Sequence, residues 1–486
     1  MKKTFLAMTA LAAMLFAGCT SSDDLTTRET ITKANEAATP INFGTYMGKT
    51  GTRGSNISNI TTAQVLATEG GFGVFAYSTS GTDYAVGNPG FMPNFMYNQQ
   101  VTGTNASTPV WTYTPVKYWP NEISTTDAGG GATSENNYGK VSFFAYGPYI
   151  NHTSLPSTGI TGMTANNINN TDPILTYKLN NNAANSVDLL WGTAGANSNP
   201  TIGGVAQSGK TLSGGKAAVN VDFTKPKFDT DGGKIDFLFK HALAKIGGYA
   251  ENSLGGVWVA LDINDATHTS SAVLEKNTQN HNLTLVTVKE VQIHNGVDGS
   301  SNSTLYQQGT FNLATGVWTP SDGKYLTLDY KDTYNATPMY LNTDIAEPTS
   351  GLAFDNSTDH QWEVSETAFE GVTLDLKQVY TNDRKPFYII PTNAAQSIKV
   401  RVKYVVRTYD ANLYQGYSET EQNITKVIEI AEPGFEMNKQ YRLNIYLGLT
   451  SVRFTASVAN WGTNNATDAA AEDVNIVDLP INVANP

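Results

Sequence analysis

Apolar and polar positions along this chain alternate in short runs, and most runs have the period of two that predicts β-strands. In IKVRVKYVVRT (398–408), Ile398, Val400, Val402, Tyr404 and Val406 share one side, while Lys399, Arg401, Lys403 and Arg407 share the other. That is a half-buried antiparallel strand, with one face on a core and one in water. YRLNIYLGLTSVRFTASVANW (441–461) predicts two more, with Tyr441, Leu443, Ile445, Leu447 and Leu449 on a common face. Nearer the N-terminus, GVFAY (73–77), FMYN (95–98), VWTYTPVKYWP (110–120), KVSFFAYGPYI (140–150) and VNVDF (219–223) are mostly aromatic and β-branched, with turn residues between them. PINFGTYM (40–47) predicts a strand of its own, with Ile41, Phe43 and Thr45 on one face. A helical pattern stands out over FLFKHALAKIG (237–247). Residues 151–220, rich in Asn, Gly, Ser and Thr and poor in apolar anchors, predict loops and short edge strands.

Many short strands with little helix predict an all-β chain built of sandwiches. With 486 residues there is room for two or three domains. TKPKFDTDGGK (224–234) marks a boundary between an N-terminal sandwich over 54–228 and a C-terminal one over 229–461. A polar linker (462–473) then leads to VNIVDLPINV (474–483), an apolar strand-like segment where a self-contained domain usually frays. Only 15% of residues are charged and the formal net charge is −12, which argues against a nucleic-acid partner, since such proteins carry a basic face.

The first nineteen residues form a targeting signal. Lys2 and Lys3 precede an apolar stretch (5–16) too short to cross a bilayer, and LFAGC follows. This resembles the lipobox of bacterial lipoproteins, in which residues 1–18 are removed and the thiol of Cys19 is acylated, with palmitate for example. Cys19 is the single cysteine, so no disulfide can form and stability must come from burial. TSSDD and the polar residues after it read as a solvated tether to about residue 39.

Candidate chemistry is sparse. GVAQSGKT (204–211) matches the P-loop pattern, but ANSNPTIG before it is no buried strand, and Gly214-Gly215 after it would break a helix. Asp229, Asp231 and Asp236 around Gly232-Gly233 hint at a calcium loop without its closing glutamate, so a solvated turn is the better reading. The six histidines are scattered with no metal-ligand spacing, and no nucleophile elbow occurs. No cofactor, metal or catalytic residue is expected. Trp111, Tyr113, Tyr118 and Trp119 could stack on sugar, but their strand-like alternation favours core and rim positions.

Taken in order, the lipobox, FGTYMGKTGTR, GGFGVFAY, FMYNQQVT, WTYTPVKYWP, KVSFFAYGPY, DFLFKHALAKI, PFYIIPT, VRVKYVVRTYD and NKQYRLNIYLGLTSVRFTASVANW resemble the fimbrillin family, the subunits of type V pili. The resemblance spans almost the whole chain and conforms least at about 155–220. It implies two transthyretin-like Greek-key β-sandwich domains. It also implies a lipidated outer-membrane precursor, cut after an arginine by an extracellular Arg-specific protease and assembled by strand exchange into a cell-surface fimbrium that serves adhesion. Arg53 matches the cleavage position, which makes Gly54 the new N-terminus. A cut at Arg28 would leave the strand at 40–47 attached.

Physical reasoning about strands accords with that scheme. A sandwich lacking one strand exposes a groove and unpaired backbone, which must be filled. In the pre-sequence (19–53), the strand carrying Ile41 and Phe43 would fill it. After cleavage another subunit's strand could add instead. The donor candidate is the tail (462–486), through Val474, Ile476, Leu479, Ile481 and Val483. Pro480-Ile481-Asn482-Val483 echoes Pro40-Ile41-Asn42-Phe43. Having both an arginine site and a tail favours a stalk subunit over a tip or anchor. The partners expected are further copies and related subunits, the protease, the outer membrane through the lipid, and a host or bacterial surface ligand. A surface lipoprotein that binds glycans without polymerising is the alternative.

Overall fold

The computed structural model describes residues 40–46, 62–80, 84–120, 140–180, 185–194, 201–202, 205–206, 220–223, 234–247, 256–261, 284–294, 304–321, 338–340, 377–379, 386–409, 412–414, 417–447, 452–460 and 477–479. They form an all-β protein of stacked sheets with one short helix, Ala63–Thr68. Thr62 caps that helix by accepting a hydrogen bond from the Val65 N–H at 3.1 Å, and Val65 and Leu66 are buried beneath it.

The first sheet has eight strands. From one edge they run Asn42–Tyr46, Lys234–His241, Leu190–Ala194, Lys140–Gly147, Phe72–Ser80, Met96–Gly103 and Trp111–Thr112, and Asn220–Phe223 also pairs with Lys140–Gly147. Asn42–Tyr46 joins in parallel, its neighbours antiparallel. Both faces of this sheet are covered. Phe72, Val74, Ala76, Val141, Phe143 and Ala145 point into one core; Phe75, Tyr77, Phe144 and Tyr146, at the alternate positions, point into another. Runs that are apolar at nearly every position, as in KVSFFAYG, follow from this double burial.

Over the second face lies a four-stranded sheet: Val317–Ser321, Gln308–Asn312, Ile174–Lys178 and Gly159–Met163. Trp191 of the first sheet packs edge-on against Phe311 and donates from Nε1 to the Leu313 carbonyl at 2.8 Å. Gly316, at φ +64°, lies against the Trp191 ring with no room for a Cβ, so the hairpin closes directly on the indole. Asp172 ties the same region together. It accepts from the Tyr84 hydroxyl (2.9 Å), the Gly87 N–H and the Asn312 side-chain amide (2.9 Å).

A seven-stranded sheet, a second four-stranded sheet and a two-stranded hairpin make up the rest of the described strands. In the seven-stranded sheet, Lys439–Leu447 is flanked on one side by Ala244–Gly247 and Gly256–Leu261 and on the other by Val452–Asn460. In the four-stranded sheet, Thr284–His294, Gln396–Tyr409 and Tyr417–Ile430 lie side by side. Ile398, Val400, Val402 and Tyr404 are buried, the alternation expected of that strand.

Two expectations are corrected. FLFKHALAKIG is not helical: it forms the strands Lys234–His241 and Ala244–Gly247 with a bend between them. Phe237 and Phe239 enter one core, while Ala242, Leu243, Ala244 and Ile246 enter the other, so this segment carries the chain from the first sheet to the third. The 151–220 stretch supplies more than edges. Leu190–Ala194 is an interior strand, and Tyr177 and Trp191 are fully buried anchors.

Candidate functional site: the groove filled by residues 40–46

The strand Asn42–Tyr46 occupies an edge of the first sheet, register Asn42 with Lys234 through Tyr46 with Leu238. Its apolar residues do not lie on a surface but enter a core: Ile41 is 0% exposed and Phe43 5%. Alternation puts Asn42 out in solvent between them. The Phe43 ring sits within a cage of four others. Its centroid lies 5.2 Å from Tyr113, 5.8 Å from Phe237 in a near-parallel stack, 6.0 Å from Phe143 and 6.2 Å from Phe72. The three phenylalanines come from three separate strands of one sheet face.

Residues 111–119 close the groove from the other side. The Ile41 N–H donates to the Lys117 carbonyl at 2.9 Å, and Pro40 forms an isolated antiparallel bridge to Tyr118. The Tyr113 hydroxyl donates to the Ile41 carbonyl at 2.8 Å and accepts from the Lys117 N–H at 3.2 Å. Burial raises the Tyr113 phenol above its usual range, so it stays a neutral donor at physiological pH. Trp111 packs on Phe72 at 4.9 Å and Trp119 on Phe143 at 5.7 Å. Of the four aromatics considered for sugar stacking, these three form the groove wall, and Tyr118 is half exposed. One contact is imperfect: the Thr45 hydroxyl is buried with no hydrogen-bond partner.

Of the residues singled out from sequence, Ile41 and Phe43 therefore meet in one groove. Cys19, Arg53, Gly54, Val474, Ile476, Ile481, Val483, Asp229 and Asp231 lie outside the described residues. Leu479 belongs to Val477–Leu479, whose backbone pairs antiparallel with residues 456–458 of Val452–Asn460. Asp236 pairs with Gly44 in the groove ladder. The start of the P-loop match forms part of a two-residue hairpin, Thr201–Ile202 with Val205–Ala206. Sequence reasoning missed the cage residues Phe72, Phe143 and Phe237. Phe143 lies in a segment whose pattern predicts a strand and Phe237 in one whose pattern is helical, and nothing local says around what these rings gather.

Away from the groove, His241 and Asp188 form a buried pair, Nδ1 to Oδ2 at 2.8 Å. Burial lowers the His241 pKa, against the opposing pull of Asp188, and burial holds Lys245 down to about 8. Among the described residues no cluster of three His, Cys, Asp or Glu could hold a metal, and no helix is long and apolar enough to cross a membrane.

Fold and site together define an all-β sandwich protein whose first sheet is completed at one edge by its own N-terminal strand. Comparison with known proteins agrees with this class. The chain is 28% identical over 183 residues to the fimbrium subunit Fim1C of Phocaeicola vulgatus, a match covering 37% of this chain and 40% of that protein, so about two fifths of the relative's length is spanned. The fold is that of a crystallised fimbrial protein from Bacteroides vulgatus, with a TM-score of 0.52 at 17% identity, over 87% of this chain and 99% of the other. No family model matches the sequence. By sequence the chain is similar to a fimbrium subunit and by fold to a fimbrial protein, the likeness its motifs led us to expect.

Proposed function

We propose that this protein is a structural subunit of a type V fimbria, most simply a stalk subunit, which assembles with other copies and related subunits and serves adhesion at the cell surface. It is exported as a lipoprotein through Cys19 to the outer membrane, cut between Arg53 and Gly54 by an extracellular Arg-specific protease, and polymerised by exchange of strands. It is not an enzyme and needs no cofactor. The observation that carries this reading is the burial of Ile41 and Phe43 in a groove lined by residues from elsewhere in the chain.

Arg53 is the single arginine between the strand Asn42–Tyr46 and the helix Ala63–Thr68. A cut there severs the covalent link while leaving the strand held only by its contacts. Release then leaves a sheet edge and an apolar cage open, which another subunit's strand can fill by β-augmentation. In the supply of that strand, the tail through Val474, Ile476, Leu479, Ile481 and Val483 is the donor.

N-terminal sequencing of the assembled surface form tests the scheme. It should begin at Gly54, and Arg53→Ala should leave a longer, monomeric precursor. Assembled fibres whose subunits still begin at Cys19 would overturn it and favour an anchor role or a lipoprotein that does not polymerise.

A further inference from the structure

The groove and the tail do not match in size at one position, and that mismatch has a consequence for partner choice. Under the strand-exchange reading, the echo of Pro40-Ile41-Asn42-Phe43 in Pro480-Ile481-Asn482-Val483 would set the frame of a tail inserted there. Proline takes the bridge to Tyr118, isoleucine takes the fully buried position with its N–H on Lys117, and asparagine faces solvent as Asn42 does. A shift by one residue would turn the asparagine into the core, so the frame is strongly specified. In that frame Val483 enters the space that Phe43 fills.

Phe43 is surrounded on all sides by rings, and those rings brace one another. Phe72 lies 5.8 Å from Phe237 and 4.9 Å from Trp111; Phe143 lies 5.7 Å from Trp119; Phe237 lies 6.0 Å from Phe239. A cage built this way closes poorly around a smaller guest, because its three phenylalanine rings are held by aromatic neighbours outside the cage. We propose that the Phe43 cage makes the groove selective for strands of the pattern Pro-Ile-x-aromatic, so that a second fimbrial subunit offering such a strand is preferred over this chain's own tail. The inference rests on the strand-exchange reading above and adds to it a determinant of which neighbour is taken. Self-joints, with Val483 in the cage, are the more readily reversed; the pre-sequence, with Phe43, is the stronger occupant until it is cut free.

The test uses the full-length precursor after Arg-specific cleavage, challenged with labelled synthetic peptides of residues 40–46, residues 480–486, and residues 480–486 carrying V483F. Valine is smaller than phenylalanine by about four carbons, which corresponds to a tenfold to roughly hundredfold difference in affinity after partial collapse. The V483F peptide should therefore bind at least about tenfold more tightly than the native tail peptide, chiefly through slower release. In the whole chain V483F should give polymers whose joints dissociate correspondingly more slowly. Equal or weaker binding of the V483F peptide would overturn the selectivity while leaving strand exchange standing. Failure of all three peptides to bind would overturn both. Because the substitution is in the peptide, the fold of the groove is untouched by the experiment.

Discussion

Phe43 and Thr45 lie two apart on the same strand, and they act on its hold in the groove in opposite directions. Phe43 places its ring inside a cage of four others, whereas Thr45 brings in a hydroxyl that finds no partner there. Phe43→Ala should destabilise the uncut precursor by about 3–5 kcal/mol, the usual cost of emptying a well-packed aromatic site. Thr45→Val keeps the shape and removes the unsatisfied group, so it should stabilise the precursor by about 1 kcal/mol. Denaturant midpoints should rise in the order Phe43→Ala, wild type, Thr45→Val. A Thr45→Val protein less stable than wild type would mean that the hydroxyl is in fact satisfied. After cleavage the same order should appear in how slowly the strand is released.

At the scale of elements, Asn42–Tyr46 and Val477–Leu479 differ in how deeply each is engaged. Asn42–Tyr46 makes five ladder pairs and, with Ile41 just before it, drives two apolar side chains into a core. Val477–Leu479 makes three pairs on the outer side of Val452–Asn460. An edge pairing of that length adds little, so deleting residues 474–486 should leave the subunit folded. Its melting temperature should fall by only a few degrees, at about 2–4 °C per kcal/mol for a domain of this size. The truncated protein should still accept a strand but not offer one, and should shorten polymers when mixed with wild type. Normal polymerisation of the deletion alone would exclude the tail as donor. The segment 237–247 shows how element type itself is settled. Its apolar residues satisfy a helical spacing on paper, but Phe237 and Phe239 against Leu238 and Lys240 also satisfy a period of two. The ladder to Leu190–Ala194 and the two cores it must serve choose the strand.

For the whole molecule, the junction between the first and third sheets contains a buried His–Asp pair with a lysine nearby. His241 ends a strand of the first sheet, and Lys245 lies in the strand Ala244–Gly247 of the third. Asp188 faces His241 just before Leu190–Ala194, and its charge also raises Tyr177 and Tyr388 beyond the effect of their burial. Because burial lowers the His241 pKa from its usual 6.5, the unfolded chain takes up a proton near that pH which the folded chain refuses. That contribution to stability is fully present above about 6.5 and is lost as the pH falls below it. Lys245, held near 8, obeys the same sign at higher pH: stability should rise between about 8 and its usual 10.5. Melting temperature should therefore drop between about pH 7 and pH 5, and the drop should be shallower in His241→Gln. Parallel pH profiles for the two proteins would remove His241 as the cause.

Period-two alternation, turn residues and the near absence of helical pattern determined an all-β chain, because strand faces follow directly from which side chains prefer water. The same rule marked Ile41 and Phe43 as one face of a strand, and 398–408 as a half-buried one. The partners of each face were decided only by tertiary structure. The cage around Phe43 draws on residues 72, 113, 143 and 237, far apart in the chain, and no local pattern encodes a contact of that range. The hairpin at 308–321 likewise pairs with Ile174–Lys178 from the other half of the chain, closing on Trp191 where a Gly316 side chain would not fit. Residues 151–220 read as loops because their anchors, Tyr177 and Trp191, are few and widely spaced. Complete burial of those two rings by distant strands is what turns so polar a stretch into core.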